Sequence, residues 1–174
     1  MFPAVLWYDG TEYSTEGTGM EKIASFTIDH TRLMPGIYVS RVDARGGLTV
    51  TTFDLRVTAP NREPPMDMPA MHTVEHLGAT YLRNSPGLED IVYFGPMGCR
   101  TGFYLVMFGT LRPEDILDRI KNMCAFIIGF EGEIPGAKPA ECGNWQGHDL
   151  EMSKYYMRRY LEDLTYRPCF VYPE

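Results

Sequence analysis

The chain has 174 residues, 44% hydrophobic and 22% charged, enough for one domain that buries roughly two-thirds of its unfolded surface. A formal net charge of −7 gives no general attraction to nucleic acid or to an anionic membrane, so a small-molecule partner fits better than a polyanion. No apolar run approaches the roughly 18 residues of a membrane span.

The opening MFPAVLWYDG lacks a basic n-region and is interrupted by Pro3, unlike a signal peptide. Residues 1–19 include the polar, glycine-rich GTEYSTEGTG and predict a disordered extension, with Met20 as an alternative start and 20–174 as the domain. KIASFTID (22–29) alternates like a strand, with Phe26 and Ile28 on one face and His30 closing it. Residues 37–44 and 48–58 also alternate around Arg45-Gly46-Gly47, which predicts a hairpin; Phe53, Leu55 and Val57 share one face, Asp54, Arg56 and Thr58 the other.

After the proline-rich APNREPPMDMP, Asp67 is an N-cap and Pro69 lies in the first turn of a helix running to about Asn84. Strands follow at 91–94 and 102–109, joined by the turn GPMGCRT. A second helix starts near Pro113 and runs through Phe130, with Ile116, Ile120, Cys124 and Ile127 on its buried stripe. A loop, EGEIPGAKPAECGNWQG, leads to a third helix near Asp149, whose buried side carries Leu150, Met157, Leu161 and Leu164. Elements grouped in this way predict a single α+β domain, a mainly antiparallel sheet with helices packed on one face.

The reactive side chains are sparse. His72 and His76 are one helical turn apart in H-T-V-E-H, so their imidazoles point the same way, as one tetrahedral metal requires. Glu75 between them is then a natural acid/base; the alternative is two histidines on a solvated helix face. Cys142, in the polar loop ECGNW, would complete a His2Cys set, and a shared first shell needs each imidazole within about 5 Å of its sulfur. Cys99, in the turn PMGCRTG beside Arg100, has surroundings that favour thiolate. Cys124 reads as core, Cys169 as functionless, and His148 as a surface or capping residue. His30 could go either way. With no C-x-x-C pairing, the cysteines suit a reducing cytoplasm.

SFTIDH (25–30), FDLRV (53–57), PN (60–61), HTVEHLGATYLR (72–83), GPMGCRTGFYL (95–105), ECG (141–143) and HDLE (148–151) together resemble the S-ribosylhomocysteine lyase (LuxS) family, in order, from residue 21 to about 165. The resemblance implies cleavage of S-ribosylhomocysteine to homocysteine and 4,5-dihydroxy-2,3-pentanedione, the autoinducer-2 precursor, by two carbonyl migrations and a β-elimination. It implies one divalent metal per subunit on His72, His76 and Cys142, iron(II) by preference with zinc or cobalt able to replace it. Cys99 is implied as the catalytic thiolate and Glu75 as the second acid/base. Ser25, His30 and Arg56 match ribose contacts, and Arg83 matches a contact to the homocysteine end. A homodimer with sites at the subunit interface is also implied.

Many members carry an aspartate where this chain has Tyr93 and a serine where it has Gly95. Two other readings fit the H-x-x-E-H pattern: an inverted-zincin peptidase, which would use an acidic third ligand, and a metal- or sugar-binding module without chemistry. Neither has a use for both Cys99 and Glu75 beside a thiolate ligand.

Overall fold

The computed structural model describes residues 27–173. Strands β1 (Gly36–Arg45), β2 (Leu48–Arg56), β3 (Ile91–Pro96) and β4 (Gly102–Phe108) form one antiparallel sheet in the order β1-β2-β4-β3. Helices α1 (Met68–Arg83), α2 (Pro113–Ile128) and α3 (Leu150–Tyr166) cover one face. The α+β arrangement expected from the sequence is therefore the one observed. No helix among the described residues is long and apolar enough to cross a membrane.

Local chemistry accounts for most boundaries. Gly46 and Gly47 have φ of 59° and 83°, so the β1–β2 hairpin closes with a two-residue turn whose twist suits the strands. The β2 ladder ends at Arg56 rather than Thr58 because the N–H groups of Val57 and Thr58 both turn to the Thr101 carbonyl. Asp67 caps α1 by accepting from Ala70 N at 2.9 Å, and Asp149 caps α3 by accepting from Met152 N at 2.9 Å. Gly129 stops α2 two residues before the expected Phe130.

One expectation changes. Of the strand expected at 22–29, residues 22–26 lie outside the described residues, as do residues 1–19, and residues 27–29 belong to a bend and turn. The Asp29 carboxylate accepts from both the backbone N–H and the hydroxyl of Thr31, at 2.9 and 2.6 Å, and this local competition folds the chain out of any ladder. His30 thus sits in a turn, not at a strand end.

The core lies between sheet and helices. Phe53, Leu55, Phe103 and Leu105 project from the central strands onto Val74 and Leu77 of α1 and Ile116, Ile120 and Cys124 of α2. The opposite face is defined by register: Asp54 pairs with Tyr104, Val50 with Phe108 and Val106 with Tyr93, so these side chains alternate away from the core. On that face Leu48, Tyr93 and Phe108 are exposed, yet Asp54 and Arg56 are buried. Residues after α3 explain the difference: the Cys169 carbonyl accepts from Ile37 N at 3.0 Å on the outer edge of β1, and Tyr172 crosses onto the free face. Gly36 permits this, since a β-carbon there would collide with the Cys169 carbonyl.

Leu77 is fully buried at the meeting point of α1 and the sheet. Leu77→Ala is expected to cost about 3 kcal/mol by the transfer and cavity terms, read as a lower urea midpoint with an unchanged m-value.

Candidate metal centre and thiol site

The second and third turns of α1 carry His72, Glu75 and His76 toward the loop between α2 and α3. His72 Nδ1 lies 2.9 Å from the Gly147 carbonyl and His76 Nδ1 lies 2.7 Å from the Pro135 carbonyl. A carbonyl only accepts, so both Nδ1 atoms carry the proton and both Nε2 atoms keep a lone pair. Cys142 Sγ stands 3.4 Å from His72 Nε2. Two donors on one tetrahedral ion at ordinary bond lengths are separated by about 3.5 Å, so this pair has the spacing a shared metal requires. One donor atom from each of His72, His76, Cys142 and His148 lies within 4.8 Å of the others.

The loop reaches this position because of Gly136. Its φ of +77° is unfavourable for other residues, and a β-carbon there would approach His76 Nδ1 to 3.1 Å. Glu75 lines the hollow on either side of His72, together with Pro96 on one side and Cys142 on the other.

His148 differs from the surface or capping role expected of it. Its ring stacks on His72 with centroids 4.2 Å apart, and its Nδ1 is 3.2 Å from Thr73 Oγ1. Thr73 gives its own proton to the Pro69 carbonyl, so the hydroxyl accepts from His148 Nδ1–H and from Asp149 N. His148 Nε2 therefore bears a lone pair, buried and without a partner among the described residues. Burial first, then the two neighbouring imidazoles, lowers His148 to about 4, leaving it neutral. Nothing local in the sequence marks it; only the fold of the loop brings it to His72.

Cys99 lies in the β3–β4 turn, which is closed by Met97 N to the Gly102 carbonyl at 2.9 Å and passes through a left-handed Arg100 with φ of 61°. Arg56 Nη1 donates to Thr101 Oγ1 at 2.5 Å, which leaves the Thr101 proton free for Cys99 Sγ, 3.2 Å away. Arg56 Nη1 is itself 3.7 Å from the sulfur, and Nη2 pairs with Asp54 Oδ2 at 2.5 Å. Partial burial pushes the thiol up, but the Thr101 hydroxyl and backbone, then Arg56, outweigh it and hold Cys99 below the ordinary thiol value. Thr101 and Asp54 were not among the sequence-predicted site residues.

His30 and Arg56 line the same hollow as Cys99. Ser25 lies outside the described residues. Arg83 ends α1, exposed, and lines neither hollow. Cys124 is fully buried in the core, as expected, and burial raises its thiol to about 12.

The profile of the S-Ribosylhomocysteinase (LuxS) family matches residues 23–168. The chain belongs to this family. Among similar proteins, the S-ribosylhomocysteine lyase of Finegoldia magna is 53% identical over 158 residues, covering 89% of this chain and all of the relative. Those of Phocaeicola vulgatus and Clostridium acetobutylicum are 56% and 51% identical, covering 83% and 89% of this chain and 91% and 100% of the relatives. The LuxS match spans α1, the Cys99 turn and the Cys142 loop, so both halves of the site lie inside it.

Two substitutions separate the candidate ligand from its support. Cys142→Ala is expected to lose bound metal on dialysis, whereas Gly136→Ala, which presses on His76, is expected to weaken zinc binding about tenfold in chelator competition.

Proposed function

We propose that this protein is a metal-dependent S-ribosylhomocysteine lyase, releasing homocysteine and 4,5-dihydroxy-2,3-pentanedione. The observation that carries the reading is the approach of Cys142 Sγ to His72 Nε2, 3.4 Å, with both helix histidines held in the ligating tautomer. The ligands are His72, His76 and Cys142. A divalent ion held there would supply Lewis acidity toward the sugar oxygens, offsetting the charge that develops when a neighbouring proton is removed. We read the native ion as iron(II), replaceable by zinc or cobalt; two imidazoles and one thiolate form a set of borderline softness that accepts all three.

The thioether sulfur of the substrate leaves only from the carbon β to a carbonyl. The aldehyde carbonyl must therefore move along the ribose twice before elimination. Each migration takes a proton from the carbon beside a carbonyl and returns one to its neighbour. Cys99, whose ionisation Thr101 and Arg56 favour, is the base that removes and returns these protons. Glu75, beside the histidines, serves the later transfer and the elimination. The sequence of steps is redox-neutral. His30 and Arg56 are assigned to the ribose, with Ser25; Arg83 is assigned to the homocysteine end.

We also infer a homodimer with sites at the interface. Asp54, Arg56 and Tyr104 of the Cys99 hollow belong to the sheet face turned away from the helices, while the metal ligands belong to α1 on the helical side. The two hollows share no lining residue among the described residues, and exposed Leu48, Tyr93 and Phe108 give the free face an apolar surface. A second copy across that face would bring unlike halves together. Residues 20–174 are proposed as the functional domain, acting in the cytoplasm on a small molecule.

Anaerobically prepared protein incubated with S-ribosylhomocysteine should release one new thiol per substrate. Cys99→Ala should keep its metal and lose this activity by at least about a thousandfold; wild-type rates in that variant would remove the proton route. Activity should fall as pH drops through the Cys99 ionisation. Thr101→Val, which takes away a donor to the thiolate, should move this acid limb upward by about one pH unit.

A further inference from the structure

The residues after α3 contain one side chain that the activity has not yet used. Tyr172 lies past residue 168, where the family match ends. Its ring stacks on Tyr38 with centroids 4.6 Å apart and 9° between planes. Its hydroxyl donates to Asp54 Oδ2 at 3.1 Å, the same oxygen that receives Arg56 Nη2. It also lines the hollow that holds Cys99. The tail that carries it is anchored by the Cys169 carbonyl on Ile37 N at 3.0 Å, so the ring is fixed at both ends.

We propose that Tyr172 is a positioning residue for the Cys99 half-site: its hydroxyl draws part of the Asp54 charge away from Arg56, and its ring forms one wall of the substrate hollow. This rests on the lyase reading for the identity of the substrate, but not for its effect on the thiol.

The sign follows from electrostatics. Cys99 is faced by Arg56 and Asp54 of β2, Tyr104 of β4, His30 of the preceding turn and Tyr172 of the tail. Arg56 favours the thiolate and Asp54 opposes it. A donor hydrogen-bonded to the carboxylate weakens that opposition, because the carboxylate's negative field is partly cancelled by the phenol dipole. Burial raises the Tyr172 phenol well above its usual range, so it stays protonated and able to donate. With the hydroxyl gone, Asp54 presents more negative potential to the sulfur, and the thiol should ionise at higher pH.

The test uses full-length, metal-loaded protein and iodoacetamide, with the Cys99 adduct followed by peptide mass spectrometry across pH. Tyr172→Phe retains the ring on Tyr38 and should raise the midpoint of Cys99 alkylation by about half a pH unit, with kcat reduced about threefold at neutral pH and KM within about twofold. Tyr172→Leu should raise the midpoint similarly and also raise KM about fivefold, because the wall is lost. An unchanged midpoint in Tyr172→Phe would overturn the positioning role, and an unchanged KM in Tyr172→Leu would overturn the wall. Because alkylation needs no substrate, a wild-type protein that fails to cleave S-ribosylhomocysteine sinks the functional reading and the substrate wall with it, while the effect of Tyr172 on the thiol is still decided by the alkylation midpoint.

Discussion

The two hydrogen bonds from histidine Nδ1 atoms to loop carbonyls are the constraint on which the metal half of the site depends. They do two things at once. Each fixes a tautomer, leaving a lone pair on Nε2 of His72 and of His76, and each ties the long coil between α2 and α3 to the helix. Cys142 belongs to that coil, whose backbone is otherwise held mainly by short local turns such as Cys142 N to the Lys138 carbonyl at 3.0 Å. The imidazoles thus hold the coil against α1 on both sides of the sulfur. Ligand geometry and loop conformation are therefore one property of the fold.

The thiol half follows a different logic. Its environment is built on a hairpin turn and the end of a neighbouring strand, elements held by regular ladders. Arg56 is buried, paired with Asp54, and shares its donors between a carboxylate, a threonine hydroxyl and a sulfur. A buried ion pair adds little net stability, because desolvation offsets most of the attraction. Its value here is positional: it presents a guanidinium to Cys99 without leaving an uncompensated charge under the sheet. The proposed soft ligand thus stands on an irregular loop and the proposed proton carrier on a hairpin turn.

Much of this was legible in the residues. The capping aspartates at 67 and 149, the glycine pair at 46–47 and the apolar stripe of α2 act locally, and local signals survive in a sequence. The i, i+4 histidine pair was readable for the same reason. What escaped depended on contacts far apart along the chain. His148 meets His72 across a loop, Thr101 acts on Cys99 through a proton that Arg56 leaves free, and Tyr172 of the tail reaches back across β1 to Asp54. At 22–29, the alternation of apolar residues pointed to a strand, but at its described end a single carboxylate bonding to Thr31 was enough to win the backbone for a turn.

Tyr93 and Gly95, two residues apart on β3, are coupled through space. The Tyr93 phenol lies over Gly95 so closely that a β-carbon there would collide with its oxygen and ring. A side chain at 95 therefore requires the half-exposed Tyr93 ring to swing aside, so one rotamer at 93 decides what the neighbouring position can hold.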